Sequence, residues 1–137
     1  MGAGGVQIAT RFVATFECSV SEKFKSIYLE SGNDDVIIID SPVGMPARAI
    51  RNRFTDRLTS GEKVPFNCRY KCLRTCDPAT APYCIAKALG NASKGDIDNA
   101  VVFAGSNVSR VKKIISVKEL MDEIAGEALY ELNNKGR

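Results

Sequence analysis

Gly2-Ala3-Gly4-Gly5-Val6-Gln7-Ile8-Ala9-Thr10-Arg11-Phe12 is the stretch on which the fold turns. Val6 and Ile8 stand two apart, and apolar character continues through Phe12, Val13 and Ala14, which is the pattern of a strand. Small residues follow the apolar pair. A strand ending in Ala9-Thr10 leaves backbone N–H groups free to approach a ligand, as happens where phosphate meets the C-terminal edge of an α/β sheet. The chain supplies nothing ahead of this stretch to pair with it, so the expectation is the back part of a larger α/β unit. On these residues alone, an ordinary glycine-led edge strand is the alternative.

Downstream, Ser19 or Ser21 can cap a helix over about 22–29, with Phe24, Ile27 and Tyr28 on one stripe. Val36-Ile37-Ile38-Ile39 is a continuous β-branched run, which predicts a strand covered on both faces. The loop Ser41-Pro42-Val43-Gly44-Met45-Pro46 separates it from a second helix expected over about 48–58, where Ile50, Phe54 and Leu58 recur at i, i+4, i+8. A third helix is expected over about 83–92, then a short strand Val101-Val102-Phe103-Ala104 that turns at Gly105-Ser106-Asn107. Ser116-Val117-Lys118-Glu119 reads as a capping box, and Val117, Leu120, Met121, Ile124, Ala128 and Leu132 form an apolar stripe expected to lie in the core. This gives three segments: 1–35, a strand and its helix; 36–100, an insert holding most of the cysteines; and 101–137, a return segment with the last helix. The fold class is α/β to α+β.

With 137 residues, the chain can hold about one core. No apolar run approaches the ~18 residues of a membrane span, and no basic segment followed by an apolar run opens the chain, so the expectation is an intracellular, cytoplasmic protein without membrane partners. Between Ala47 and Arg74, eight basic residues (Arg48, Arg51, Arg53, Arg57, Lys63, Arg69, Lys71, Arg74) face two acids, Asp56 and Glu62. Such a run suits either a solvated helix face or a phosphate-rich partner, and the solvated face is the commoner case. There is no histidine. That removes every Ser/His/Asp or Cys/His nucleophile arrangement and every histidine-based metal site from this chain.

Four of the five cysteines form the series Cys68-x3-Cys72-x3-Cys76-x7-Cys84. On a helix the first three would share one face, and Asp77-Pro78 would turn the chain so that Cys84 comes back to them. Four thiolates suit zinc or an iron–sulfur cluster, although the usual spacings are tighter. Free or buried thiols are the main alternative, with disulfides third in a reducing compartment. Cys18 stands apart as a small core residue.

Gly5-Val6-Gln7-Ile8-Ala9-Thr10-Arg11-Phe12-Val13-Ala14-Thr15, the run Ser41 to Asn52 (SPVGMPARAIRN), and Phe103-Ala104-Gly105-Ser106-Asn107 with Ser116-Val117-Lys118-Glu119-Leu120 together resemble the C-terminal portion of the nitronate monooxygenase family. That family is also called 2-nitropropane dioxygenase-like and includes the FMN-dependent enoyl-acyl-carrier-protein reductases of the second type. The resemblance covers about residues 2–132.

It implies a (β/α)8 flavin barrel with a smaller helical cap region, of which this chain would be the C-terminal part, incomplete alone; such barrels take about 250 residues. The opening strand would be the eighth of the barrel. By this resemblance Gln7, Ala9 and Thr10 hold the FMN phosphate edge, and Gly105 and Ser106 line the flavin side. The family usually carries Gly-Thr where this chain has Ala9-Thr10, which weakens the phosphate assignment without removing the Ala9 N–H. The histidine that many members place beside the flavin would lie upstream, so no catalytic residue is assigned here. The implied function is part of an FMN-dependent oxidoreductase, acting on nitronates or enoyl thioesters and inactive alone. Its expected partners are flavin and either the missing N-terminal barrel half or further copies of itself. The alternative is a free-standing four-cysteine metal module that binds a protein partner or, less favoured, nucleic acid.

Overall fold

The computed structural model describes residues 4–68 and 71–134. Gly2 and Ala3 of the opening stretch and Arg69 of the basic run lie outside these residues. The elements are helices α1 (Thr10–Val13) and α2 (Glu22–Glu30), strands β1 (Val36–Ile39) and β2 (Ala47–Ile50), and helices α3 (Arg53–Thr59), α4 (Ile85–Lys94) and α5 (Val117–Asn134). Two short 3-10 turns, Ile97–Asn99 and Val108–Arg110, stand between α4 and α5.

The stretch expected as the first strand forms none over its described part, residues 4–9. A strand is stable only when its N–H and C=O groups find a partner. Val6 is 80% exposed and Ile8 39%, so the segment also lacks an apolar cover. The chain instead turns helical at Thr10, where the Phe12 and Val13 N–H groups both donate to the Ala9 carbonyl. Pairing begins only beyond it, at a parallel bridge between Thr15 and Ile115.

Local signals place α2 well. The Ser21 hydroxyl accepts from the Phe24 N–H at 3.2 Å, and the Ser21 N–H donates to the Ser93 carbonyl at 2.9 Å, fastening the start of α2 to the end of α4. Helix α4 ends at Gly95, whose φ of +85° suits glycine. Its position is tight, because an added Cβ would lie 2.8 Å from the Ser21 hydroxyl.

The helix expected over 48–58 is two elements. Residues 47–50 pair antiparallel with β1 in the register Val36↔Ile50, Ile37↔Ala49, Ile38↔Arg48 and Ile39↔Ala47. The β-branched run needs a partner, and the loop at 41–46 delivers the nearest one. The helix starts later, capped by Asn52: its Oδ1 accepts from the Thr55 N–H at 2.9 Å, while the Asn52 N–H donates to Thr55 Oγ1 at 2.8 Å. The Asn52 amide also donates to the carbonyls of Ile97 (3.2 Å) and Ala100 (3.0 Å), binding α3 to the first 3-10 turn.

Strand β1 is covered less than the sequence suggests. Ile39 is buried, but Ile38 is 58% exposed. The expected strand 101–104 is not formed as one; the segment meets β2 at an isolated Ala49–Phe103 bridge, with the Ile50 N–H donating to the Val102 carbonyl at 2.8 Å and the Ala104 N–H to the Arg48 carbonyl at 3.3 Å. Its alternation still organises the core. Val102 and Ala104 join Ala14, Tyr28, Ile50 and Val108 in one cluster, while Val101 joins Ile39, Ala49, Phe54, Tyr83 and Ala88 in the other. The Tyr28 hydroxyl crosses to the Phe103 carbonyl at 2.6 Å.

In α5 the cap is present, since Ser116 Oγ accepts from the Glu119 N–H at 3.1 Å. The core assignment of its stripe fails. Only Leu120 is buried, whereas Met121 is 50% exposed and Leu132 72%. The helix carries a period of 3.6, but little of this chain packs against that face.

Candidate functional site

Two segments nearly a hundred residues apart meet at one cleft of about 480 Å³. Gln7, Ile8, Ala9, Thr10 and Arg11 form one wall, and Gly105, Ser106, Asn107, Arg110 and Val111 form the other, with Ile124 and Glu127 of α5 alongside. Gln7, Ala9, Thr10, Gly105 and Ser106, all singled out by sequence, thus line one space. The Gly105 N–H donates to Thr10 Oγ1 at 2.9 Å and ties the walls together. A Cβ at 105 would stand 3.4 Å from the same oxygen, in van der Waals contact with it.

The cleft is rich in donors. Among the described residues, the backbone N–H groups of Thr10, Arg11, Ser106 and Asn107 have no hydrogen-bond acceptor. Arg11 is engaged elsewhere: its guanidinium donates to the Lys113 carbonyl at 3.2 Å and lies 3.8 Å from Glu123. Arg110 has no ion-pair partner among the described residues and is the free cation on the cleft wall. Sequence reasoning missed Arg110, although its place three residues beyond Asn107, in the turn that follows Gly105, was a usable signal. Unpaired N–H groups beside a guanidinium suit an anion, phosphate above all. Among the described residues Glu127 is the one carboxylate on the wall, and it favours ligands whose negative charge lies toward Arg110.

The cysteine segment is not helical. Cys68, Cys72 and Cys76 lie in irregular chain, so they do not share a helix face. Pro65 and Asp77-Pro78 bracket the segment and it has few large apolar residues, which leaves a helix with neither free N–H groups at those points nor a buried face. The neck of the loop is closed by the Val64 N–H donating to the Pro82 carbonyl at 2.9 Å. After Cys76, the Asp77 side chain accepts from the Ala79 N–H (3.0 Å) and Thr80 Oγ1 (3.2 Å), turning the chain back toward Cys84. Cys68, Cys72 and Cys84 line one groove. The Cys76 thiol is pushed above its usual pKa, first by desolvation and then by the fields of Cys68, Cys72 and Cys84, with Asp77 last. Among the described residues, no three metal-ligating side chains converge on the position of a single ion. Cys18 stands apart and is half-buried.

The basic run is partly neutralised by its own acids. Arg57 meets Glu62 at 2.5 Å, and Arg51 lies 3.9 Å from Asp56. The Arg57–Glu62 hydrogen bonds lower the Glu62 pKa and raise that of Arg57. Among the described residues, no helix is long and apolar enough to cross a membrane.

Comparison with known proteins bears on family and fold. The profile of the nitronate monooxygenase family matches residues 1–127. A Mycobacterium tuberculosis protein, (3aS,4S,5R,7aS)-5-hydroxy-7a-methyl-1-oxo-octahydro-1H-indene-4-carboxyl-CoA dehydrogenase, is 36% identical over 63 residues, which is 46% of this chain and 18% of that one. A probable nitronate monooxygenase of Staphylococcus saprophyticus is 33% identical over 66 residues, 47% of this chain and 19% of that one. Among solved structures, FabK from Thermotoga maritima superposes with a TM-score of 0.74 at 23% identity, covering 98% of this chain and 40% of that one. These matched stretches are thus about a fifth of the two curated relatives, and the superposition takes in two fifths of FabK. The α/β arrangement is that of part of FabK, and the chain belongs to the nitronate monooxygenase family.

Proposed function

We propose that this chain supplies the phosphate-binding edge of an FMN site and acts as the C-terminal part of an FMN-dependent oxidoreductase barrel. The observation that carries this is the single cleft shared by Gln7–Arg11 and Gly105–Arg110, tied by the Thr10–Gly105 hydrogen bond. Four unpaired backbone N–H groups and the free Arg110 fit a phosphate dianion. FMN, when bound, supplies the redox chemistry, and the protein orients it. Thr10 Oγ1 fixes the distance between the walls, Arg110 balances the phosphate charge, and Ala9, Gly105 and Ser106 leave room for the backbone to come close.

The substrate is a nitronate or an enoyl thioester. Both classes suit the family, and the substrate pocket would be built largely outside these residues. With no histidine in this chain, no residue here is assigned proton transfer at the flavin. The exposed Val6, Leu129, Tyr130 and Leu132 support a further apolar cover, by the remaining barrel or by a second copy of this chain. The isolated chain therefore has neither nitronate-oxidising nor enoyl-reducing activity.

Amide NMR titration with FMN tests the assignment. A phosphate handle without the rest of the barrel should bind with a Kd of about 0.1–1 mM. The Thr10, Arg11, Ser106 and Asn107 amide signals should shift together, and Arg110→Ala should weaken binding about tenfold, the worth of one charge-assisted contact. Shifts confined to other residues, or an unchanged affinity in Arg110→Ala, would overturn it.

A further inference from the structure

We propose that the pocket between α3 and α4 takes a purine nucleoside monophosphate, with the base among its aromatic side chains and the phosphate toward Lys87 and Lys94. The pocket shares no lining residue with the flavin cleft, so the inference stands apart from the flavin reading.

The apolar part of the pocket grows out of the second core cluster. Phe54 of α3 and Tyr83, just ahead of α4, are buried and meet edge to face, with centroids 5.6 Å apart and planes at 86°. Phe66 is half-buried and adds a third ring to the lining, while Ala88 of α4 brings only a methyl. The cavity is about 310 Å³, within the range of small-molecule sites. A space of this size among aromatic rings suits a flat two-ring base, since bases stack on phenyl and phenol faces.

The polar end is fixed before any ligand arrives. Gly95 turns the chain at the end of α4, and the Asp96 N–H donates back to the Asn91 carbonyl at 3.0 Å. Asn91 Nδ2 donates to the Asn99 carbonyl at 2.8 Å, and Asn99 Nδ2 donates to the two Asp96 carboxylate oxygens at 3.0 and 3.2 Å. These bonds use donors and leave acceptors. Among the described residues the Oδ1 atoms of Asn91 and Asn99 receive no hydrogen bond, and the Asp96 carboxylate keeps further lone pairs. An acceptor-rich rim calls for N–H groups on the ligand, which adenine offers at N6 and guanine at N1 and N2. Uracil has a smaller ring and a single N–H.

Charge sets the direction of the phosphate. Lys87, Asn91 and Lys94 stand at i, i+4 and i+7 and share one face of α4. That face joins the pocket to the adjoining groove of about 510 Å³, because Phe66, Cys84, Lys87 and Asn91 line both. Neither lysine has an ion-pair partner among the described residues. Asp96 lines the pocket but not the groove, whose described lining holds Lys87 and Lys94 and no carboxylate. A phosphate leaving the base pocket along α4 thus meets two cations, and the carboxylate stays at the base end. An aromatic amino acid would fill the pocket too, but its adjacent charges would leave the basic groove unused.

Amide NMR titration of the 137-residue chain tests the site, with AMP and GMP as probes. At least one of them should shift the Phe66, Lys87, Asn91 and Asn99 amides together. Reading affinity at these amides keeps the result separate from any phosphate bound in the flavin cleft. UMP and the matching purine nucleoside should each bind at least about tenfold more weakly, and ribose 5-phosphate should leave these amides unmoved. Lys87→Gln changes an exposed position, so the chain should fold; it should weaken the nucleotide about tenfold and leave the nucleoside unchanged. No shift at these amides with either nucleotide at millimolar concentration overturns the proposal. So does UMP or ribose 5-phosphate binding there as tightly as the purine nucleotide, or an undiminished nucleotide affinity in Lys87→Gln.

Discussion

Asn52→Ala should be among the costliest single substitutions outside the apolar core. Its Oδ1 caps α3 through the Thr55 N–H, and its amide donates to the Ile97 and Ala100 carbonyls, so one side chain joins a strand end, a helix and a 3-10 turn. Loss of the cap costs about 1 kcal/mol. Two carbonyls deprived of a donor add roughly 0.5–1.5 kcal/mol each. The sum is about 2–4 kcal/mol against a total stability of about 5–15 kcal/mol for a domain of this kind. In urea, with a slope near ~2 kcal/mol/M, the unfolding midpoint should fall by about 1–2 M. Asn52→Asp separates the two roles. It keeps the cap acceptor but loses both donors, and it turns a negative oxygen toward the two carbonyls, so it should still lose about 1–3 kcal/mol. An Asn52→Asp protein as stable as the parent would refute the cross-links to 97 and 100, and an Asn52→Ala loss below about 0.5 kcal/mol would refute the whole account of this residue.

Gly95→Ala should destabilise by more than the ~1 kcal/mol of an ordinary left-handed cap, because the new Cβ meets Ser21 Oγ at 2.8 Å; a thermal melt checks it, and Ser21→Gly should recover part of the loss. At alkaline pH, Tyr28 sets the direction. Burial, then the Cys18 charge, pushes its phenol above the ordinary 10.0, so the unfolded chain loses this proton first and stability falls as pH rises beyond about 10. Tyr28→Phe should flatten that alkaline slope while lowering stability at neutral pH by about 1–3 kcal/mol through the lost bond to the Phe103 carbonyl, both read from urea midpoints across pH.

Where a signal is local, the sequence carries it. Ser21 caps α2 through its own first turn, and Ser116 does the same for α5, because both contacts span three residues. The boundary between β2 and α3 is harder. Ile50, Phe54 and Leu58 fit a helical period, yet the pairing of Val36 with Ile50 outweighs it, and the Asn52/Thr55 box that marks the true start sits inside that period without interrupting it. The stripe of α5 shows a further limit: period reveals which face is apolar and not whether something covers it. In the cleft, Gln7, Ala9, Thr10, Gly105 and Ser106 are brought together as one wall pair, but from sequence their assignment rests on family resemblance, since no local pattern links residue 10 to residue 105. Arg110 follows Asn107 by three residues, a signal the sequence does carry, but its lack of a carboxylate partner among the described residues is seen only in three dimensions.

A phosphate site for flavin on this chain must distinguish FMN from riboflavin in the same amide titration. The two ligands share the ring and ribityl chain and differ in the phosphate alone. FMN should shift the Thr10, Arg11, Ser106 and Asn107 amides, and riboflavin should bind at least about tenfold more weakly, as the loss of one or more charge-assisted contacts requires. Equal affinities, or no shift at these four amides with either ligand, would contradict it.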